Sequence, residues 1–147
     1  MKDERKTKKQ LINELIELRH RIEELEKTKT ERKLAEEALR ESEKRYRTLF
    51  SEAIDGICLA DAETGIIIDC NQALAALVGR DRAEMIGQPQ TILHSPSGDN
   101  TAFSPTFKQH LIRDGQVLDT QVVTKTGEIR EVEIKANLLY LAEGKVL

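Results

Sequence analysis

The sequence predicts an α+β protein in which a long charged helix precedes a small domain with an antiparallel sheet and short helices on one face. Two observations predict this division. The first 47 residues carry 15 Lys or Arg and 12 Asp or Glu, with neither Gly nor Pro. All 8 Gly and 3 Pro lie in the rest of the chain, where apolar runs alternate with turn residues. We therefore expect a helical segment at 1–50 and a globular domain at 51–147.

An apolar seam runs along the helical segment in two halves. Each half has the 4, 3, 4, 3 spacing of a coiled-coil heptad, and the second half starts ten residues after Leu25. The halves are therefore offset by three residues, which locally overwinds a coiled coil. We expect a homodimer through this seam, parallel or antiparallel. The alternative is a single solvated helix supported by charge pairs such as Glu41–Arg45. The seam residues are Leu11, Leu15, Leu18, Ile22 and Leu25, then Ala35, Leu39, Ser42, Tyr46 and Leu49.

Basic residues at the start of the chain suggest a DNA-binding alternative, because basic-zipper DNA readers place such residues before a leucine repeat. Here the basic stretch is short, and Asp3 and Glu4 interrupt it. The chain has no Trp and only 3% aromatic residues, so it offers few surfaces on which single-stranded nucleic acid could stack. We expect no nucleic-acid partner. The basic residues are Lys2, Arg5, Lys6, Lys8 and Lys9.

Two short apolar runs at 56–60 and 65–70 flank a Gly-containing turn, which predicts a β-hairpin. Asn71 follows at an N-cap position, ahead of a short helix that Gly79 should end. Asp81 is placed to cap a further single turn of helix.

The second half of the domain is predicted to continue with a loop at 94–101 and a helix ending near Asp114, marked by Phe103, Phe107 and Leu111. Two longer strands follow, around a Thr126-Gly127 turn. Apolar and charged residues alternate along the second of them, as in a strand with one buried face.

In this order the motifs resemble those of PAS sensor domains. KRYRTLFSEAIDGICLAD resembles the flanking helix and first strand, and GIIIDCNQALAALVG resembles the second strand and first inner helix. RAEMIGQP and KTGEIREVEI are similar to later parts, and ERKLAEEALRESEKRYR resembles the helical linker of bacterial sensor histidine kinases and diguanylate cyclases. The resemblance covers residues 31–147. It implies a five-stranded sheet with the last strand in the middle.

The sequence departs from the family at that last strand, since only residues 145–147 could begin it. We therefore expect a C-terminally truncated domain with unpaired strand edges, prone to edge-to-edge pairing.

No motif for nucleophilic, phosphate-binding or metal-dependent catalysis occurs, so we expect this chain not to be an enzyme by itself. Cys58 and Cys70 lie on predicted strands and are expected to be reduced, buried fillers. Cys70 is not in the helix that carries the cysteine of flavin photosensors. No metal site is expected. His20 and His94 are expected to face water.

His110 lies at the edge of the apolar face of its predicted helix, and we expect it to be partly exposed. In haem-binding PAS domains a histidine of this helix ligates iron, but the surrounding tract differs in register. We therefore expect no cofactor, with an unidentified small molecule or haem on His110 as alternatives. The candidate pocket residues, which would equally form a plain core, are Ile57, Leu59, Ile68, Leu74, Leu77, Phe107, His110, Leu111, Val122, Ile134 and Ala136.

The resemblance implies a sensory input and dimerisation module that relays a change to an effector outside this chain, either a histidine kinase or a cyclic-dinucleotide enzyme. The competing interpretation is a structural dimerisation module that binds no ligand. No run of about 18 apolar residues and no secretory signal occurs, so we expect a cytoplasmic chain without a membrane span.

Overall fold

A computed structural model describes residues 6–96 and 102–147. Residue contacts divide the chain into two units, Met1–Arg47 and Thr48–Leu147. The basic residues Lys2 and Arg5, and positions 97–101 of the predicted loop, lie outside the described residues. The helices are α1 (Lys8–Glu52), α2 (Gln72–Val78), α3 (Arg82–Met85) and α4 (Pro105–Ile112), with a 3₁₀ turn at Gln90–Leu93. The strands are β1 (Cys58–Ala60), β2 (Ile67–Cys70), β3 (Val117–Val123), β4 (Ile129–Lys135), β5 (Leu139–Leu141) and β6 (Gly144–Val146).

Helix α1 is continuous for 45 residues, or about 67 Å at the rise of an α-helix. It begins with a reciprocal cap, in which Thr7 N donates to Gln10 Oε1 and Gln10 N donates to Thr7 Oγ1. None of its described side chains is buried. A 45-residue helix with no buried side chain is held mainly by its own backbone, since exposed ion pairs stabilise little.

The first predicted hairpin is present as the antiparallel pair β1–β2, in which Cys58 lies opposite Cys70. Asp61 stabilises the turn, because its Oδ1 accepts hydrogen bonds from the backbone N–H groups of Glu63 and Thr64. These bonds favour the charged carboxylate and lower the pKa of Asp61. The local pattern of turn residues therefore predicted this hairpin correctly.

The caps of α2 and α3 are those that the sequence indicates. Asn71 caps α2, and Gly79 ends it with a positive φ of 65°, which glycine adopts without steric cost. Asp81 and Glu84 form a capping box on α3. Helix α4 starts later than expected, because Pro105 occupies its first position and Ser104 caps it.

The core lies between these short helices and the strands. Ile67, Val78 and Met85 are at most 1% exposed, and complete burial of such a side chain stabilises a fold by about 1.5–3 kcal/mol. The remaining buried members of the cluster are Cys70, Leu74, Ala75, Leu93 and Val122.

Strands β3 and β4 pair in full antiparallel register, from Val117 opposite Lys135 to Val123 opposite Ile129. Along β4, exposed residues alternate with partly buried ones, as predicted. Arg130 ties the hairpin to the helices, since its guanidinium donates a 2.6 Å hydrogen bond to the carbonyl of Leu77. Cations are favoured at such a position near a helix C-terminus.

The last strand, β6, makes more pairing contacts than the sequence indicates. Strand β6 pairs with β5 in a third hairpin, which was not predicted. It also joins β1, because Ala60 and Leu147 exchange two backbone hydrogen bonds of 2.8 Å. Residues 145–147 are thus ordered between β1 and β5, and this part of the expected gap is filled.

Candidate functional site

Asn71 joins two backbone segments, the chain leading into β1 and the start of α2. It is 1% exposed. Its Oδ1 accepts hydrogen bonds from Ile57 N at 2.8 Å and Leu74 N at 3.1 Å, and its Nδ2 donates to the carbonyl of Asp55 at 2.8 Å. The sequence predicted the helix cap but not the two bonds to residues 55–57. This side chain therefore fixes the chain leading into β1 against the first inner helix.

A second buried polar contact lies at the start of α4. The hydroxyl of Ser104 donates a 2.9 Å hydrogen bond to Gln90 Oε1 and accepts one from Phe107 N. Both Ser104 and Gln90 are buried, and Gln90 Nε2 has no hydrogen-bond partner among the described residues. The contact attaches α4 to the 3₁₀ turn, and it leaves one buried amide donor unused.

His110 is the most unusual side chain of this region. It is 2% exposed, so the expectation of a partly exposed residue at the helix edge was wrong. Residue 110 is one turn from the buried Phe107, on the same helix face, and that face turns fully inward. Neither ring nitrogen has a hydrogen-bond partner among the described residues.

The environment of His110 determines its charge. Burial without a compensating partner disfavours the imidazolium and lowers the pKa of His110. The neutral ring keeps one N–H donor and one acceptor. A buried imidazole of this kind can bind a small polar molecule or water without binding a proton.

Only some of the candidate pocket residues are brought together. Leu74 and Val122 are buried in the core cluster, with Leu77 packed against it, and Phe107 is 7% exposed. Ile57, Leu59, Leu111, Ile134 and Ala136 are each partly buried.

Ile68 does not belong to the pocket or the core, because its side chain is 49% exposed. The strand pattern places Ile67, not Ile68, on the inner face, and the register of β1–β2 shifts between Leu59 and Ala60. Three consecutive isoleucines conceal which of them faces inward, so the sequence did not decide this point.

An open cleft of about 750 Å³ lies beside α4 and the β3–β4 hairpin. It contains none of the candidate pocket residues. His94 lies at this cleft and is partly buried, in contrast to the prediction, with Nδ1 3.2 Å from the carbonyl oxygen of Gln121. Burial lowers the pKa of His94, and this hydrogen bond raises it in part. The lining residues are His94, Ser95, Pro105, Thr106, Asp119, Thr120, Gln121, Glu131, Val132 and Glu133.

The two cysteines are free thiols that pack into the domain. Cys70 is fully buried. Burial, with a smaller contribution from Cys70 and Asp69, raises the pKa of Cys58 to about 12. Burial also raises the pKa of Cys70. Both are therefore protonated and weakly nucleophilic near neutral pH.

Residues 6–96 and 102–147 contain no group of three or more His, Cys, Asp or Glu placed to hold a metal ion. No helix of that part is both long enough and apolar enough to cross a bilayer.

His110 does not line the open cleft beside α4, so the histidine of the haem alternative and this cleft are separate features of the domain. The buried hydrogen bonds of Asn71 and Gln90 to distant parts of the chain were hard to predict from the sequence. A helix-capping Asn is common, and no local pattern marks a buried glutamine.

Comparisons with known proteins agree on the fold. A family model described as "PAS fold" matches residues 44–147. A domain of a sensory box sensor histidine kinase/response regulator from Geobacter sulfurreducens is 28% identical, with a TM-score of 0.54, over 74% of this chain and 91% of that one. The PAS domain of an HTR-like protein from Haloarcula marismortui is 22% identical, with a TM-score of 0.59, over 78% and 93% of the two chains. No curated protein sequence matches the chain.

Proposed function

Because the chain belongs to the PAS family, we propose that it is the sensory input and dimerisation module of a bacterial signal-transduction protein. PAS domains are sensory modules without catalytic activity of their own. The observation that carries the proposal is the combination of this domain with a continuous 45-residue helix whose apolar seam is exposed. The effector, a histidine kinase or a cyclic-dinucleotide enzyme, would lie outside this chain.

Dimerisation is proposed from the exposure of the seam. Leu15 and Ile22 lie at its first half with 55% and 53% of their surface exposed. Such apolar residues, repeated at heptad spacing, are stabilised by packing into a second helix. We propose that this second helix is α1 of another copy.

The test compares two substitutions on neighbouring residues. Leu15→Asp places a charge in the seam, whereas Ile16→Asp places the same charge at a residue of equal exposure, 56%, that lies off the seam. Sedimentation at tens of micromolar is expected to give a dimer for the wild type and Ile16→Asp, and a monomer for Leu15→Asp, alone or combined with Ile22→Asp. A monomeric wild-type chain would contradict the proposal.

Sensing is proposed through the interior of the domain. Three buried nitrogens of His110 and Gln90 have no hydrogen-bond partner within residues 6–96 and 102–147, and such groups favour a bound polar molecule. Native mass spectrometry of the purified chain tests this directly. A retained small molecule that is lost in His110→Leu supports sensing. A chain without bound molecules would favour the structural dimerisation module.

The absorption spectrum tests the haem alternative. We propose that no haem is bound, so we expect no Soret band. A Soret band that disappears in His110→Ala would show that His110 ligates haem.

The coding sequence that adjoins these residues tests the identity of the effector. The coding sequence adjoining these residues is expected to encode a kinase or cyclic-dinucleotide domain, and its absence would refute the relay. We propose a cytoplasmic location, supported by the two free cysteines.

A further inference from the structure

Four charged residues flank the first half of the seam. In the heptad, Leu15 and Ile22 occupy a positions, and the leucines at 11, 18 and 25 occupy d positions. Glu14 and Arg21 then fall at g positions, and Arg19 and Glu26 fall at e positions. We call Glu14, Arg19, Arg21 and Glu26 the flanking quartet. In coiled coils, e and g residues set the orientation and the choice of partner.

The quartet is complementary to itself in one arrangement. In a parallel, in-register pair, each g residue faces the e residue five positions further along the other helix. Glu14 would then face Arg19 of the second copy, and Arg21 would face Glu26 of the second copy. Symmetry gives each attraction twice, and no like charges of the quartet meet.

Antiparallel pairing is less favourable. In an antiparallel pair, residues at g positions face g residues of the other helix, and residues at e positions face e residues. With Leu15 layered on Leu18, only Glu14 and Arg21 attract across the interface. In the alternative layering of Leu18 on Ile22, Arg21 meets Arg21 and Arg19 meets Arg19, which is repulsive.

The contacts within α1 leave most of the quartet available for such pairs. Among the described residues, Arg19, Arg21 and Glu26 form no ion pair within 4.0 Å, whereas Glu14 pairs with Lys6. Further along, the charges are engaged within the helix itself. The intrahelical pairs there are Lys27–Glu31, Arg32–Glu36, Lys33–Glu37 and Glu41–Arg45.

The favourable register ends after Leu25. Its next a and d positions are Lys29 and Arg32, whose charges would have to be buried between the helices. In the same stretch the hydroxyls of Thr28 and Thr30 donate 2.9 Å hydrogen bonds to backbone carbonyls four residues earlier. Bonds of this type slightly destabilise and bend helices. The offset between the two halves of the seam falls here.

We propose that residues 11–25 pair with a second copy of this chain as a parallel, in-register coiled coil that ends at Leu25. This inference rests on the proposed homodimer and adds its orientation and extent. The flanking quartet determines the specificity, and the leucines and isoleucine of the first half supply the apolar contacts.

Two double substitutions of identical composition test the orientation. Glu14→Arg with Arg19→Glu preserves every attraction of the parallel pair. Glu14→Arg with Arg21→Glu turns all four parallel attractions into repulsions, but it preserves the antiparallel one. The parallel arrangement predicts an unchanged dimer dissociation constant for the first variant and a rise of at least about tenfold for the second. The reverse result, or two equal results, would overturn it.

Cysteine cross-linking provides an independent measurement. Leu11→Cys would place two thiols of a parallel dimer within disulfide distance, whereas the more favourable antiparallel layering, Leu15 on Leu18, would place residue 11 opposite residue 22. Oxidation is expected to give a covalent dimer of Leu11→Cys alone, while the wild type, with its cysteines in the folded domain, remains uncross-linked. A dimer that cross-links only when Leu11→Cys and Ile22→Cys chains are mixed would refute the orientation. A wild-type monomer would refute the dimer itself.

Discussion

Removing the side chain of Asn71 tests whether this residue is the structural centre of the domain. Asn71→Ala deletes three buried hydrogen bonds, to Ile57 N, Leu74 N and the carbonyl of Asp55. Loss of the helix cap costs about 1 kcal/mol, and each of the other two bonds contributes about 1 kcal/mol. We therefore expect the free energy of unfolding to fall by about 3 kcal/mol, or more than a hundredfold in the equilibrium constant.

Urea denaturation followed by circular dichroism measures this loss, with two further variants to assign it. Asn71→Asp keeps the acceptor oxygen but turns a carboxylate oxygen toward the carbonyl of Asp55 at a buried position, so this variant should also be less stable than the wild type. Asp81→Ala removes an exposed capping box on α3 and should cost about 1 kcal/mol or less. A loss within about 0.5 kcal/mol for Asn71→Ala would refute the reasoning, because the three bonds would then contribute nothing net.

Three further predictions concern the interior. The pKa of His110 is lowered in the folded state, so below the ordinary histidine pKa of about 6.5 the unfolded chain binds more protons than the folded one, and the free energy of unfolding should fall as the pH falls through that value. Urea denaturation at two pH values should show a smaller fall for His110→Leu than for the wild type; an equal fall would contradict the burial of His110. Phe107→Ala should cost about 3–5 kcal/mol, measured by urea denaturation, since the ring is buried; a cost below about 1 kcal/mol would place the ring outside the core. Cys58 and Cys70 should resist alkylation near neutral pH until the chain is unfolded, which thiol titration measures; rapid labelling of the native chain would show that both are accessible.

Local chemistry made much of the fold predictable. The first segment was predictable as a helix, because more than half of its residues are charged and it lacks Gly and Pro. Asn71, Gly79 and Asp81 mark the ends of α2 and α3 through hydrogen bonds and a positive φ that depend on adjacent residues. The alternation of apolar and charged residues along β4 likewise predicted which face of the strand is partly buried.

The candidate site was less predictable, because burial depends on what packs from elsewhere in the chain. Ile67 and Ile68 are chemically identical, and the pairing of β1 with β2 places the first inside and the second outside. His110 could have faced either way from its position on α4.

The sequence by itself thus determined the helical segment, the order of the main helices and strands as far as β4, and the caps of α2 and α3, since these follow from interactions between residues close in the chain. Only the tertiary structure decided the rest. Residues 145–147 fill a place beside β1 that lies some 85 positions away in sequence, so no local pattern could reveal the pairing of Ala60 with Leu147. The burial of His110, whose two ring nitrogens have no partner in the part of the chain that the structure describes, is decided in the same way, because elements outside its own helix cover the ring.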